Sequence, residues 1–323
     1  MRLSLCILAV FLGCSLLPAQ ELSRGSYNLR IEEPRDGESS LQMTLVGASG
    51  TVMYQLKREM PYDTPRPLVH LFADGSVMLV DAFAGVYERY GENGRMTDRI
   101  ALNGRVSPNH ERIGFLKGND SMAVLFVSEP EKPESRLLIV DRLGSTIVNK
   151  PVSGSFASGM ELSPDGTLIA VGTYNWNGPS LGHKTEFLNT QGAVISSLNH
   201  EFKGGAWGAG DSLFLVYGRN DAAIVDARTG IVRSAFDLGS NTVVHAALWD
   251  NGTPLVAVSP PPRFEMGAWI FSQLVVLNAA DASTVYQSQS GSFKKLEFEK
   301  SDSGVFLRVD RQQIPLDPAS KRN

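Results

Sequence analysis

The residues with the clearest chemical potential sit outside the long apolar runs. The tripeptide Asn-His-Glu occurs twice, at 109–111 and 199–201. An imidazole beside a carboxylate could bind a divalent metal or move a proton. That makes His110, Glu111, His200 and Glu201 candidate metal ligands, although a tripeptide in polar loops also recurs by chance and no cofactor is expected from it. Two other stretches combine rings with loop-forming residues. Tyr174, Trp176 and His183 stand among Asn, Gly and Pro, while Arg263, Phe264, Met266 and Trp269 follow three consecutive prolines. Rings on connecting segments suit a contact surface, so these seven are candidate binding residues. The alternative is that they fold back and cap adjoining strands. No catalytic residue is assigned. His-Glu-x-x-His, Walker and EF-hand patterns are absent, and no serine nucleophile elbow is expected. The glycine-rich run 204–210 leads into a strand, so it offers a phosphate no helix N-terminus.

The elements that must position these residues follow from a recurring punctuation. Ser163-Pro-Asp-Gly interrupts an apolar stretch that resumes at once as Thr-Leu-Ile-Ala-Val, and related turns recur along the chain. Marked by Asp74, Asn119, Asp165, Asp211, Asn251 and Ser303, they fall at intervals of 45, 46, 46, 40 and 52 residues. Asp, Asn and Gly tolerate the left-handed backbone of a tight turn, and the flanking β-branched and aliphatic runs suit strands. Each unit carries a second turn, as in Val140-Asp-Arg-Leu-Gly and Val225-Asp-Ala-Arg-Thr-Gly. Two hairpins per unit make a four-stranded sheet, and repetition at this period predicts an all-β chain folded as a β-propeller. A β-sandwich would give no reason for near-constant spacing.

Six blades are expected. The hairpin Leu41–Val46 with Thr51–Leu56 lacks an evident partner, and the last unit stops after Gln313-Ile-Pro-Leu. The N-terminal hairpin is therefore expected to complete the C-terminal blade, which would remove two open sheet edges. Seven blades are the alternative, because Tyr27–Arg30 or the long fifth interval leaves room for further strands. Ser163-Pro-Asp-Gly-Thr-Leu-Ile-Ala-Val and Ile224-Val-Asp-Ala-Arg-Thr-Gly resemble the WD40-like and YVTN-type propeller repeats of bacterial exported proteins. The resemblance covers roughly residues 40–316 as a pattern and implies architecture. The Trp-Asp and Gly-His pairs of true WD40 repeats are missing from the matching positions, so no binding residue is carried over.

Export is expected from the N-terminus. Arg2 precedes an almost wholly apolar run from Cys6 to Leu17, and Pro18-Ala19 closes it. This is the form of a signal peptide over residues 1–19, cut after Ala19. The run is shorter than the roughly 18–20 residues that cross a bilayer. Phe11-Leu-Gly-Cys14 offers the alternative of a lipid on Cys14. Both cysteines of the chain lie in this leader, so the mature protein, a single domain over 20–323, would have no disulfide. Export without disulfides points to a bacterial periplasmic or extracellular protein. Thirty basic residues face 34 acidic ones. With no basic cluster, nucleic acid is not the expected partner.

In such blades the tight turns share one face and the connections between second and third strands share the other. The candidate aromatic stretches belong to the second face. His70 and His245 fall in first strands and are expected to be packing residues. The expected function is a noncatalytic, monomeric propeller that binds a protein or glycan of the cell envelope through its loop-rich face. The alternative is a metal-assisted hydrolase, lactonase or lyase with its site at the axial mouth.

Overall fold

The computed structural model describes residues 20–32, 40–59, 67–81, 85–101, 114–128, 135–152, 156–177, 180–208, 210, 212–249, 252–265, 268–293, 296–301, 304–310 and 312–316. Among them every regular element is a β-strand, paired in antiparallel sheets. No helix among the described residues is long and apolar enough to cross a membrane.

The strands form seven sheets in chain order. Sheet 1 contains β1 (Gln20–Arg24), β2 (Tyr27–Glu32), β3 (Ser40–Val46) and β4 (Val52–Glu59). Sheet 2 contains β5 (Leu68–Leu71), β6 (Val77–Asp81), β7 (Val86–Tyr90) and β8 (Met96–Ala101). Sheet 3 is built from β9 (Gly114–Gly118), β10 (Met122–Ser128), β11 (Ser135–Asp141) and β12 (Thr146–Val152). Sheet 4 follows with β13 (Phe156–Leu162), β14 (Leu168–Asn177), β15 (Ser180–Asn189) and β16 (Val194–Leu198). Sheet 5 holds β17 (Gly204–Trp207), β18 (Leu213–Tyr217), β19 (Asp221–Asp226) and β20 (Val232–Asp237). Sheet 6 has five strands: β21 (Thr242–Leu248), β22 (Pro254–Ser259), the short β23 (Arg263–Glu265), β24 (Ala268–Asn278) and β25 (Ser283–Phe293). Sheet 7 has three described strands, β26 (Leu296–Ser301), β27 (Gly304–Val309) and β28 (Gln312–Leu316).

Local chemistry explains the repeated hairpins. Gly166 adopts φ +73°, a left-handed conformation open to glycine at little cost. Its amide donates to the Ser163 carbonyl at 2.8 Å, and Asp165 Oδ1 accepts from Ser163 Oγ at 2.6 Å and the Thr167 amide at 2.8 Å. The second turn of each unit uses a related device. Asp141 Oδ1 accepts from the amides of Leu143 and Ser145, both at 2.8 Å, and Asn189 Oδ1 accepts from those of Gln191 and Ala193. One extra residue enters the ladder beside this turn in sheets 1 to 6, as between Ile139 and Val140.

Packing stacks the sheets side by side. Six apolar clusters among the described residues each join one sheet to the next, from sheets 1 and 2 through to sheets 6 and 7. First strands lie against first strands: β1 on β5, β5 on β9, β9 on β13, and onward to β26. They form the inner rim of the propeller, and β4, β8, β12, β16, β20 and β25 lie on its outside.

The blade count and the closure expected from the sequence are corrected. The hairpin of β3 and β4 does not join the C-terminal sheet. β3 pairs with β2, from Asn28 opposite Val46 to Glu32 opposite Gln42, so the hairpin is the outer half of a separate sheet. Leu41, Met43 and Leu45 pack with Leu29 and Ile31 against Leu71, Val77 and Leu79 of sheet 2, and this burial determines where the hairpin docks. The further strand set thus includes Tyr27–Arg30. The long fifth interval holds an added strand and an extended hairpin, not another blade. The hairpin from Leu296 to Val309 and the strand through Gln313 to Leu316 match the reading of the last unit.

Candidate functional site

Two extensions distinguish an otherwise uniform set of sheets, and both arise between second and third strands. The stretch 174–185, read from sequence as a loop, continues the ladder of β14 and β15. Pairing runs without interruption from Leu168 opposite Asn189 to Asn177 opposite Ser180. Tyr174 therefore faces His183 across the hairpin and Phe156 of β13 on its other side, while Trp176 stands opposite Leu181. The Phe156 and Tyr174 ring centroids are 5.4 Å apart, and those of Tyr174 and His183 are 6.5 Å apart. His183 Nδ1 is buried with no hydrogen-bond partner among the described residues. An orphaned buried polar atom costs free energy unless a partner arrives. Gly178-Pro-Ser-Leu-Gly182 matches the Gly-x-Ser-x-Gly spacing, which the sequence reading passed over. Ser180 nevertheless opens β15 opposite Asn177, in a hairpin and not a strand-to-helix elbow.

The second extension belongs to sheet 6. β23 folds back on β24, setting Arg263 opposite Ile270 and Phe264 opposite Trp269. Trp269 also lies opposite Phe293 of β25. The Phe271 and Phe293 rings stack at 4.1 Å. Arg263 is exposed, and Ile270 is 39% exposed, so the extension shows solvent both a cation and an aliphatic group. Met266 lies outside the described residues. The two extensions leave their sheets at the end opposite the tight turns, as the alternation of antiparallel strands requires.

A third group was not singled out as a site from sequence. The inner strands carry Lys117, Glu161, His245 and Glu297, and Tyr217 at the end of the second strand of sheet 5 joins them, each within electrostatic reach of a neighbour. Lys117 Nζ lies 3.0 Å from Glu161 Oε1, bridging sheets 3 and 4. Burial pushes the Glu161 carboxyl up, and the Lys117 ammonium partly opposes this. Burial also pushes the Tyr217 phenol up, with the Glu161 charge adding to it. A Cβ at Gly204 would sit 2.3 Å from Tyr217 Oη, so glycine is what lets this hydroxyl lie over the inner strand. His245 is held below its ordinary value by burial; its bond to the Ala246 carbonyl and the Glu297 charge oppose the shift, and Lys117 reinforces it. Its ring lies 6.3 Å from Tyr217 and 5.7 Å from Phe298. An ion pair beside a neutral imidazole and a phenol can hold a polar ligand or relay a proton. His245 thus joins this axial group, whereas His70 is buried, edge-on to Phe72 at 4.6 Å, with Nε2 3.1 Å from the Asn119 carbonyl.

The Asn-His-Glu residues are placed differently. His110 and Glu111 lie outside the described residues. His200 Nδ1 is 2.6 Å from the Glu201 carbonyl, its Nε2 is 3.6 Å from Asp221, and Glu201 Oε2 accepts from the Arg219 amide at 2.7 Å. These contacts turn the Glu201 carboxylate toward the backbone. Among the described residues no group of three or more His, Cys, Asp or Glu could hold a metal ion.

This architecture is that of a β-propeller. Solved structures similar to the chain include one described as a eukaryotic initiation factor, at 15% identity and TM-score 0.53, covering 91% of this chain and 72% of that one. BamB from Moraxella catarrhalis matches at 13% identity and TM-score 0.53, covering 88% of this chain and 81% of its own. Hsv2p of Kluyveromyces lactis matches at 11% identity and TM-score 0.52, covering 90% and 89%. All three are propellers, and at these identities they show the fold alone. No protein-family model matches the sequence, and no curated protein matches it.

Proposed function

We propose that the chain is an exported, noncatalytic propeller of the WD40-like and YVTN-repeat type that binds a protein or glycan of the bacterial envelope. The carrying observation is the pair of hairpins that extend sheets 4 and 6 on one face. Sheet 5 has neither extension; the base of the second packs Phe271 and Phe293 into the apolar cluster between sheets 6 and 7, while its Arg263 is exposed. The row Phe156, Tyr174 and His183, with its unpaired Nδ1, supplies rings and one open polar position on the first hairpin. In this reading Arg263, Phe264, Met266 and Trp269 also contact the partner, as does Trp176. Residues 1–19 serve as the export signal in this reading. Intact mass of the secreted protein distinguishes cleavage after Ala19 from lipid on Cys14. The test of binding is crosslinking to envelope components in living cells. Trp176→Ala with Trp269→Ala should abolish a specific crosslinked product while the melting temperature holds; an unchanged product overturns the proposal.

One observation favours the second reading, a hydrolase, lactonase or lyase at the axial mouth. Glu161 and His245 converge there with Lys117, Tyr217 and Glu297, and burial raises the carboxyl and lowers the imidazole. Opposed shifts of this kind suit general acid and base roles. Turnover of lactone or ester substrates that is lost in both Glu161→Gln and His245→Asn would select this reading over the first.

A further inference from the structure

The outer strand of a propeller blade presents unpaired backbone groups to any strand that approaches. These edges differ in composition. β4 carries Lys57, Arg58 and Glu59; β8 carries Asp98 and Arg99; β12 has Lys150 and Pro151; β20 has Arg233 and Asp237. Charge and proline on an edge obstruct strand addition. β16 has neither but is five residues long. β25 has neither and runs for eleven residues, Ser-Thr-Val-Tyr-Gln-Ser-Gln-Ser-Gly-Ser-Phe. That is about 36 Å of edge at the usual strand rise. β24 occupies one side of β25, and among the described residues no strand pairs with the other. Gln287, Gln289 and Gly291 are exposed along it.

We propose that β25 pairs antiparallel with β25 of a second copy of this chain about a two-fold axis. Self-pairing sets the residue on the axis opposite itself, so a charge there would meet its like. An uncharged strand carries no such penalty, and β25 is the long outer edge that meets this condition. The ladder irregularity between Val276 and Leu277 passes over Val285, so the regular part of β25 starts at Tyr286. A register centred on Gln289 uses this part. It places Tyr286 opposite Ser292 and Gln287 opposite Gly291 of the second copy, each larger residue meeting a smaller one. Gln289 meets itself, where two amides can exchange hydrogen bonds. The resulting dimer continues sheet 6 across the axis, departs from the monomer expected on sequence, and places the two copies of the β23–β24 hairpin at opposite ends of the joined sheet.

The test is mass by light scattering and sedimentation over a wide range of concentration. The unaltered chain should reversibly dimerise. Gln289→Lys alone and Gln289→Glu alone should each weaken self-association by about fivefold, the scale of a like-charged cross-strand pair, and an equimolar mixture of the two should restore it. Gln289→Pro should remove the dimer, and unchanged melting temperatures of the monomers would show that each variant folds. A chain that stays monomeric throughout, a dimer indifferent to Gln289, or a Lys and Glu mixture that stays dissociated overturns the proposal, the last two by placing any dimer contact elsewhere.

Discussion

The two ends of the sheets obey different rules. At the tight-turn end, backbone geometry dictates residue type. Gly166 must take a positive φ, and Asp141, Asn189 and Asp226 each gather two amides into one oxygen. At the opposite end nothing so local constrains the chain, and the connections diverge. Sheet 2 keeps its second and third strands close, fastened by Arg58 of sheet 1, whose guanidinium lies 2.8 Å from Asp81 and also contacts Glu88. Sheets 4 and 6 instead extend outward as hairpins. Where turn chemistry is obligatory, change costs stability; where it is not, the chain is free to acquire contacts. Substitutions at the tight turns should therefore damage folding, and those on the hairpins should damage binding.

Gly166→Val should give the largest effect. It combines a β-branched residue at positive φ with a Cβ placed 2.1 Å from Asn119 Nδ2. A loss of about 4 kcal/mol in chemical denaturation is expected, and a loss below about 1 kcal/mol would break the rule for this end. Arg58→Ala tests the rule from the other side, since it lies near the divergent end yet is structural. Among the described residues Glu88, 3% exposed, would keep the more distant Arg99 and the Tyr90 hydroxyl. About 3 kcal/mol should be lost.

The pH response sharpens the comparison further. Burial holds His70 at about 4, down from 6.5, with its contact to the Asn119 carbonyl opposing the shift, Arg24 reinforcing it and Asp120 opposing it. A depressed native value means that stability is complete above about pH 6.5 and is lost as pH falls toward 4. His245 acts in the same direction. His70→Gln should flatten the stability profile across that window by about 3 kcal/mol, measured by denaturation at a series of pH values. An unchanged slope would show that His70 does not govern it. The smallest stability effect is expected on the hairpin: Tyr174→Ala should cost less than about 1 kcal/mol while removing partner contact. Unfolding of the domain by this change would instead make the Phe156–Tyr174–His183 row a structural cap.

Much of the fold was legible in residue order. The turn residues and flanking aliphatic runs marked the hairpins of sheets 2 to 7, and the aromatic stretches drew attention to the two extensions. Sheet 1 was harder to read because its inner strand is Gln-Glu-Leu-Ser-Arg, with a single apolar residue. Its docking depends on Leu29 and Ile31 meeting residues of sheet 2. The axial group was missed for a related reason. Lys117 and Glu161 each lie near the end of an inner strand just before a tight turn, and that shared position was the available signal. Nothing in either segment says that the two side chains are 3.0 Å apart.

Residue order by itself determined the rhythm of hairpins, because a left-handed turn and a run of β-branched residues are demands the backbone makes within a few positions. Only the tertiary structure decided that the N-terminal hairpin completes sheet 1, that the aromatic stretches are strands and not loops, and which side chains converge on the inner rim. Those outcomes depend on which buried faces meet across long stretches of chain, and burial is a property of the assembled sheets.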